Sequence, residues 1–227
     1  MVVGAHRAVR IVSGAVPESS DQPPVVRVAD STALDQAAAA LRAGGAVVLP
    51  TDTVYGVAAL PSVAGATAQL FALKDRSDGQ PLAVLVADVN QAAGLAAPVT
   101  RPVAAWMMDH WPGPLTIVLS RSESARRVEL GGSAQTVGIR CPDHRFVRAL
   151  ARRVGPIATT SANRHGQPTP ATALEAADSL TAPVALVVDG GPYGGVPSTV
   201  IDASSTPARV LRAGALDPAL LGLGQPD

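Results

Sequence analysis

The sequence predicts an α/β fold built around a mixed β-sheet. Short apolar runs alternate with segments whose apolar residues recur at helical spacing. Some of the expected strands follow one another too closely for a crossover helix, so part of the sheet must be antiparallel. No internal repeat is found, and a chain of 227 residues is expected to bury one core as a single domain.

The expected elements begin at Val25. A strand over 25–29 leads into a helix that Asp30 or Ser31 caps and that the Gly44-Gly45 pair ends. Further helices are expected over 63–73, 98–108, 143–153 and 170–180. The other strands are expected over 46–49, 82–86, 115–119, 137–140, 157–159, 184–188, 199–202 and 209–211.

Two segments fall outside this alternation. Residues 13–24 are polar and rich in proline, so residues 1–24 are predicted to form a flexible leader before a single domain over 25–227. Residues 121–136 lack periodicity and are predicted to form a mobile loop.

Composition excludes several classes of protein. Hydrophobic residues make up 47% of the chain and charged residues 16%, which is typical of a globular protein. No apolar run approaches the roughly 18 residues that span a bilayer, and His6, Arg7 and Arg10 break any signal-peptide pattern. We therefore expect a cytoplasmic protein with no membrane partner. A formal net charge of zero argues against a surface that is basic throughout, but leaves room for a local basic groove.

The sequence offers no evident metal site. The only cysteine, Cys141, excludes an internal disulfide framework and a cysteine-based zinc site, and is expected to be a small buried hydrophobe. The four histidines are scattered and form no pair with metal-binding spacing.

The chain has a single lysine, and its position is a candidate for binding an anion. Of the 18 basic residues only Lys74 is a lysine. A compact ammonium often serves as a single-point phosphate binder, where the planar guanidinium of arginine is no substitute. Lys74 and Arg76 together offer two cations to an anion. The alternatives are one arbitrary surface lysine left by codon drift, and a solvated helix terminus.

Polar residues follow several of the expected strands. Pro50–Gly56 (PTDTVYG) comes directly after an apolar strand and carries two threonine hydroxyls, a carboxylate and a phenol. Ligands of α/β sheets bind beyond strand ends, so this segment is a candidate for orienting a small polar substrate. A simple hydrogen-bonded turn is the alternative.

Two later segments repeat this arrangement. Ser161 and Asn163 follow the strand over 157–159, and in an extended chain they point the same way, so both could hold phosphate oxygens without adding charge. A turn or helix cap is the alternative. Ser198, Thr199 and Arg212 lie on the expected C-terminal strand pair and could close a site. Neither GxxxxGK[ST] nor GxGxxG is present, so a P-loop or Rossmann site is excluded.

In this order, the segments resemble the threonylcarbamoyl-AMP synthases of the YrdC/Sua5 family, from about Val25 to Gly214. Each marker is weak alone, but the ordered set is highly specific. The markers are PTDTVYG, the KxR at Lys74/Arg76, WPGPLT at 111–116, VGIR at 137–140, the SxN at Ser161/Asn163 and PSTVID at 197–202.

The resemblance implies both a fold and an activity. The fold is a twisted mixed sheet with flanking helices around a large, concave, positively charged cavity. The activity is a nucleotidyl transfer in which L-threonine, bicarbonate and ATP, accompanied by Mg²⁺, become L-threonylcarbamoyladenylate and pyrophosphate. The product supplies a tRNA threonylcarbamoyl-transfer complex that makes N6-threonylcarbamoyladenosine.

The resemblance also implies roles for particular residues. The catalytic set is Lys74, Arg76, Ser161 and Asn163. The nucleotide and its phosphates would also contact Thr116, Arg140, Thr169 and Arg212. The threonine end of the site would contain Thr51, Tyr55, Thr116, Ser198 and Thr199. Such a displacement at phosphorus needs alignment and charge neutralisation more than a covalent nucleophile.

The chain departs from the family pattern in two places. The segment Leu82–Val86 lacks a histidine that longer relatives often carry, and the chain resembles the short form without the C-terminal Sua5 domain. Gating of the cavity would then fall to loops such as 121–136.

Three alternatives to the synthase stay open. One is a family member that adenylates a carbamate of a different acceptor, and another is a paralogue with the same fold but another substrate. The third is a non-catalytic module that binds double-stranded RNA or tRNA through Arg145, Arg148, Arg152, Arg153 and Arg164.

Overall fold

A computed structural model describes residues 22–75, 80–164 and 166–224 of the chain. Within them ten strands form one sheet. The strands are β1 (Val25–Arg27), β2 (Val47–Leu49), β3 (Gly56–Ala59), β4 (Ala83–Leu85), β5 (Leu115–Ser120), β6 (Thr136–Arg140), β7 (Ile157–Ser161), β8 (Leu186–Asp189), β9 (Thr199–Asp202) and β10 (Arg209–Arg212). The α-helices are α1 (Ala33–Arg42), α2 (Ala66–Ala72), α3 (Val89–Ala93), α4 (Arg101–His110), α5 (Arg145–Val154) and α6 (Ala173–Asp178).

The sheet is mixed, as predicted. Its strand order is β1-β8-β2-β3-β7-β4-β6-β5-β9-β10. The pairs β1/β8, β8/β2, β4/β6 and β5/β9 are parallel, whereas β2/β3, β3/β7, β7/β4, β6/β5 and β9/β10 are antiparallel. The predicted fold class, a mixed sheet with flanking helices, is confirmed.

Helices cover both faces of the sheet, which explains why its strands are continuous apolar runs. Successive residues of a strand point to opposite faces. Val47 therefore packs in the core beneath α1 and α5, whereas its neighbour Val48 packs in the core beneath α2, α4 and α6. Both valines have no exposed surface.

The helix α5 owes its position to its amphipathic sequence. Phe146, Val147, Leu150 and Ala151 are buried against the sheet and α1, and the arginines lie on the other face. Three of these arginines have carboxylate partners: Arg148 with Asp143, Arg152 with Asp88, and Arg153 with Asp35.

Most predicted elements form within a few residues of their expected bounds, but two were missed. The strand β3 is fully buried and begins at a glycine, so it shows no alternation of polar and apolar residues. The helix α3 spans only five residues and depends on Asp88, whose carboxylate accepts a hydrogen bond from Gln91 N at 3.0 Å. Elements this short carry little periodicity.

The segment over 121–136, predicted as a mobile loop, contains packed structure. A 3₁₀ helix spans Ser124–Arg127, and Arg121 is only 3% exposed. Its guanidinium donates to the carbonyl oxygens of Thr136, Ala125 and Val128 at 2.7, 3.3 and 2.6 Å. The segment is therefore held around a buried side chain.

Two predictions fall on parts of the chain that the structure does not describe. Most of the predicted leader lies outside the described residues, and so does Arg76. In the described ranges no helix is both long and apolar enough to cross a membrane.

Candidate functional site

A cavity of about 420 Å³ lies on the face of the sheet that α1 and α5 cover, beside those helices. We call it the sheet cavity. Its floor is made by residues that are register partners on neighbouring strands, such as Ala83, Gly138 and Val118. It brings together eight of the side chains predicted from the sequence: Thr51, Lys74, Thr116, Arg140, Ser161, Asn163, Ser198 and Arg212.

Lys74 follows the last turn of α2 and is only 3% exposed. Its ammonium donates to the carbonyl oxygen and to Oγ of Ser161, the latter at 3.2 Å, and to Oδ1 of Asn163 at 3.1 Å. Ser161 ends β7 and Asn163 follows two residues later, so the SxN spacing brings both side chains to the same cation. The ammonium is therefore held in place at the edge of the sheet cavity.

Asn163 is itself fixed from its other end. Its amide nitrogen donates to the carbonyl oxygens of Arg164 at 2.9 Å and Gln167 at 2.6 Å, and its Oδ1 accepts from Ser161 Oγ at 2.5 Å. These bonds assign the amide orientation, because Oδ1 must face the donors.

Arg140 joins three segments of the site. Its guanidinium donates to Asp52 Oδ1 at 2.6 Å, to Thr53 Oγ1 at 2.8 Å and to the Gly113 carbonyl at 3.1 Å. Burial lowers the pKa of Arg140, and the Asp52 carboxylate opposes that shift. An arginine remains charged under these conditions. Arg140 therefore links the PTDTVYG turn to β6 and to the WPGPLT loop.

Thr51 holds the PTDTVYG turn together. Its hydroxyl donates to the Val54 carbonyl at 2.6 Å and accepts from the backbone N–H groups of Thr53 and Val54 at 3.1 Å each. The hydrogen-bonded turn proposed as an alternative for this segment is therefore present, although Thr51 also lines the sheet cavity.

A second group of polar side chains lies at the β5, β9 and β10 side. The hydroxyls of Thr116 and Ser198 are 2.9 Å apart, and both residues are 6% exposed. Arg212 donates from Nη2 to the Ser198 carbonyl at 2.8 Å and to Ser198 Oγ at 3.2 Å. Burial lowers the pKa of Arg212, and the charge of Arg140 lowers it further. An anion between the two guanidinium groups would relieve that repulsion.

Three predicted residues do not line the sheet cavity. Tyr55 is fully buried; its hydroxyl donates to the Gly191 carbonyl at 2.6 Å and accepts from Gly190 N at 3.0 Å. Thr199 is fully buried and donates to the Leu216 carbonyl at 2.5 Å. Thr169 lies half-buried in the segment after β7. Both hydroxyls are bound to backbone groups, and the substrate contacts of Tyr55 and Thr199 stay predictions.

The position of Thr199 follows from the alternation of side chains along a strand. Its neighbours Ser198 and Val200 line the sheet cavity, so Thr199 points to the other face. Conversely, Gln80 and Thr136 line the cavity although the sequence did not single them out, and Gly138 lines it although the sequence named it only within VGIR. The strand register, which the sequence does not reveal, would have been needed to find them.

The donor set does not favour a metal ion held by the protein alone. Within the described ranges there is no group of three His, Cys, Asp or Glu side chains that could hold one. The described lining of the sheet cavity contains no carboxylate, and the nearby Asp52 is paired with Arg140. A magnesium ion would fit this site only as part of a nucleotide complex, with its oxygen ligands supplied by phosphates and water.

A half-buried histidine lies close enough to Asp52 to interact with it electrostatically. His144 precedes α5, and its Nε2 is 3.1 Å from the hydroxyl of Tyr193, whose ring meets Tyr55 edge-on at 5.4 Å between centroids. Nδ1 of His144 is buried and has no hydrogen-bond partner in the described part of the chain. Burial lowers the pKa of His144, and Arg148 adds to this, whereas Asp52 and Asp143 oppose it.

We expect His144 to make the protein less stable in acid. A pKa lowered by folding means that the unfolded chain binds the proton more readily, so stability is lost as pH falls below about 6.5, the usual histidine value. Urea unfolding measured across this range should show a smaller acid loss in His144→Gln than in wild type. An unchanged acid loss in that variant would assign it to other groups.

Arg212 provides a test of the cavity with a matched control. Arg212 and Arg209 lie on the same strand and carry the same charge, but Arg209 pairs with Asp202 at 3.2 Å and does not line the cavity. Removing one hydrogen-bonded cation should raise the Kd of the cavity for an anionic ligand about tenfold in Arg212→Ala. Calorimetric titration should show no such change in Arg209→Ala, and equal effects would contradict a local role.

The fold and the cavity define an α/β protein with fixed cations and hydroxyls around one polar cavity. The chain belongs to the Sua5/YciO/YrdC family, whose model carries the description "telomere recombination" and matches residues 39–214.

The chain is similar to several threonylcarbamoyl-AMP synthases. It is 39% identical over 183 residues to that of Bacillus subtilis and 40% identical over 183 residues to that of mouse. These matches cover 80% and 76% of this chain, but only 53% and 63% of the relatives' own length. A putative threonylcarbamoyl-AMP synthase of Mycobacterium tuberculosis is 36% identical over 185 residues, covering 81% of this chain and 85% of the relative.

Two solved structures share the fold. Pyrococcus abyssi Sua5 complexed with L-threonine superposes with a TM-score of 0.80 at 35% identity, covering 87% of this chain and 59% of that one. Escherichia coli YciO superposes with a TM-score of 0.78 at 26% identity, covering 87% of this chain and 98% of the other.

Proposed function

We propose that this chain is an L-threonylcarbamoyladenylate synthase, a nucleotidyltransferase that converts L-threonine, bicarbonate and ATP into L-threonylcarbamoyladenylate and pyrophosphate. The names of its relatives and the L-threonine complex of P. abyssi Sua5 support this reaction. The product would feed N6-threonylcarbamoyladenosine synthesis in tRNA through a transfer complex. We place the reaction in the cytoplasm, where ATP and tRNA are both present.

The observation that carries the proposal is the fixed ammonium of Lys74. It is the only lysine of the chain, it is nearly inaccessible to solvent, and it lines the same cavity as Arg140 and Arg212. A buried charge that hydrogen bonds hold at a cavity wall costs no reorganisation when negative charge develops beside it. This is the arrangement that a displacement at a phosphate group requires.

The proposed reaction proceeds in two steps. The threonine amine attacks carbon dioxide derived from bicarbonate and loses a proton, which gives a carbamate. A carbamate oxygen then attacks the α-phosphorus of ATP, the bond to the bridging oxygen breaks, and pyrophosphate leaves with that electron pair. In this scheme Lys74 neutralises charge on the reacting phosphates, and Ser161 and Asn163 position Lys74. Magnesium would enter with ATP and share the phosphate charge.

The other cations would divide their roles. Arg140 already donates to Asp52, Thr53 and Gly113, so its proposed contribution is a fixed positive charge beside the phosphates. Arg212 has only the Ser198 contacts among the described residues and is the freer guanidinium. Arg76 and Thr169, predicted to bind the nucleotide, remain part of the proposal.

The hydroxyl pair of Thr116 and Ser198 is the proposed contact for the threonine substrate, together with Thr51. Each hydroxyl of the pair can donate or accept, so together they can bind a carboxylate, an amine or the substrate hydroxyl. The pair lies at the opposite side of the cavity from Lys74 in strand order, because β5 and β9 are separated from β7 by β4 and β6. The Thr116–Ser198 pair and the phosphates at Lys74 would therefore occupy different parts of the cavity, whereas Thr51, in the turn between β2 and β3, lies nearer to Lys74 in strand order.

The alternative of an RNA-binding module is not favoured. Of the five arginines suggested for such a surface, Arg148, Arg152 and Arg153 have carboxylate partners in the described chain. Their charges are thus partly neutralised on a solvated helix face, which weakens the attraction to a phosphate backbone.

Pyrophosphate release tests the proposed reaction. We expect release from ATP only when both L-threonine and bicarbonate are present, and we expect serine and the other amino acids to give much less. Omission of each substrate in turn is the control. Efficient release with a different amine would replace the substrate while retaining the adenylation chemistry. The absence of release under every condition would contradict the assignment.

A further inference from the structure

A second cavity, of about 360 Å³, lies beside α2, the helix that directly precedes Lys74. It is lined by α2, through Thr67, Ala68 and Phe71, and by the segment 126–134 together with Arg121. We call it the arginine pocket, because Arg121, Arg126 and Arg127 all line it. None of these three residues belongs to the site proposed above.

The arginine pocket has an unbalanced charge. Besides the three arginines its described lining contains one acidic residue, Glu129. Within the described ranges no carboxylate lies close enough to Arg121, Arg126 or Arg127 to form a salt bridge, whereas Arg140, Arg148, Arg152, Arg153 and Arg209 each have one. The described lining of the pocket thus has three guanidinium groups and one carboxylate, and none of the three forms a described salt bridge.

Arg121 is an unusual cation because only 3% of its surface is exposed. Burial alone lowers its pKa, with no acidic group opposing the shift. Its Nε and Nη1 donate to three carbonyl oxygens, while Nη2 has no hydrogen bond to a described residue. A buried cation normally has an anionic partner, because carbonyl groups compensate only part of its lost hydration.

The shape of the pocket favours a small anion. Arg126 and Arg127 are exposed at its rim, whereas Arg121 is almost inaccessible, so a ligand must enter the pocket to reach all three. A volume of about 360 Å³ lies within the range of small-molecule sites. Guanidinium groups bind phosphate oxygens bidentately and retain their charge at any physiological pH.

We propose that the arginine pocket is a second anion site, which binds inorganic phosphate or pyrophosphate separately from the sheet cavity. A backbone hydrogen bond joins the walls of the two cavities. Leu82 N donates to the Leu130 carbonyl at 2.7 Å, and Leu82 lines the sheet cavity while Leu130 lines the arginine pocket. We therefore expect an anion in the arginine pocket to shift Leu82, which precedes β4 and lines the sheet cavity.

Equilibrium dialysis with radiolabelled phosphate and with radiolabelled pyrophosphate tests the second site without ATP or threonine. The test variant is R126Q/R127Q, which alters only exposed side chains. The matched control is R101Q/R145Q, which removes the same charge from two other exposed arginines. We expect the test variant to bind one equivalent of anion fewer than wild type, and the control to bind as many as wild type.

The same comparison in a Lys74→Ala background separates the two cavities. One equivalent should again be lost with R126Q/R127Q, whatever remains at the sheet cavity. Comparing the two ligands shows whether phosphate or pyrophosphate is preferred. Unchanged stoichiometry in the test variant, or an equal loss in the control, would overturn the proposal. Binding of a short RNA duplex without binding of either free anion would also overturn it, and would assign the arginines to a nucleic-acid surface.

Discussion

Replacing Lys74 with alanine is expected to lower the rate of adenylate formation by a factor of about 100 to 1,000 or more, as removal of one preorganised charge does elsewhere. The ammonium is nearly inaccessible, and its bonds to Ser161 and Asn163 hold it at the cavity wall. No other lysine exists in the chain to replace it. Steady-state pyrophosphate release with saturating threonine and bicarbonate measures the loss.

The variant should remain folded, which separates a catalytic from a structural loss. Asn163 Oδ1 keeps the hydrogen bond from Ser161 Oγ when the ammonium is removed. We therefore expect the free energy of unfolding to fall by about 1–3 kcal/mol, the usual effect of removing hydrogen bonds to a charged group. Urea unfolding measures this change.

Two further variants sharpen the result. Lys74→Arg should also be impaired, because a planar guanidinium does not fit the positions of the three oxygens that the ammonium contacts. Arg42→Ala is the matched control, since Arg42 is an exposed cation at the end of another helix, α1. Near-normal turnover in Lys74→Ala, or an equal loss in the Arg42 variant, would contradict the role of Lys74.

Replacing Asp52 with alanine is expected to destabilise the fold by about 3–5 kcal/mol, because it leaves Arg140 buried without its counter-ion. The side chains of Arg140 and Asp52 are only 7% and 14% exposed, so water can compensate little of the loss. Asp35→Ala removes the same group from the Arg153–Asp35 pair, whose side chains are 45% and 62% exposed. That change should cost at most about 1 kcal/mol.

A double-mutant cycle with Arg140→Met isolates the pair. Because the apolar side chain needs no counter-ion, Asp52→Ala/Arg140→Met should be more stable than the sum of the single changes predicts, by about 1–3 kcal/mol. Urea unfolding of the four proteins measures the coupling. Additive effects, or an Asp52→Ala change no larger than that of Asp35→Ala, would show that the ion pair does not hold the PTDTVYG turn to β6.

The sequence predicted the components of the site better than their exact disposition. The SxN spacing predicted that Ser161 and Asn163 point the same way, and the structure has both contacting Lys74. This prediction needed only the alternation of side chains at the end of a strand. The convergence of Lys74 with them, from a helix far earlier in the chain, followed only from the family resemblance.

Two predicted site residues lie outside the cavity lining, because the direction of their side chains depends on strand register. Tyr55 and Thr199 carry hydroxyls within motifs that contribute to the cavity, yet both are fully buried and bound to backbone groups. A shift of one position along a strand exchanges the two faces of the sheet. The sequence of a fully buried strand does not show which face lines a cavity, because both faces are apolar or contain small polar residues.

The long-range contacts of Arg140 and Gly195 were equally beyond sequence reasoning. Arg140 was predicted as a ligand for phosphates, and its pairing with Asp52 brings together residues 88 positions apart. A side chain at Gly195 would place its Cβ 1.8 Å from the Thr53 carbonyl oxygen, so the loop before β9 lies directly against the PTDTVYG turn. Such contacts depend on tertiary packing rather than on local pattern.

The central claim is that the sheet cavity joins a carbamate of threonine to AMP. The most direct measurement follows radiolabelled bicarbonate through the reaction with ATP and L-threonine, with separation of the products by chromatography and mass spectrometry. The account predicts label in a nucleotide product whose mass equals that of L-threonylcarbamoyladenylate, formed with pyrophosphate in equal amount and absent without threonine. Pyrophosphate release that leaves no label in a nucleotide product, or a labelled product without threonine, would contradict it.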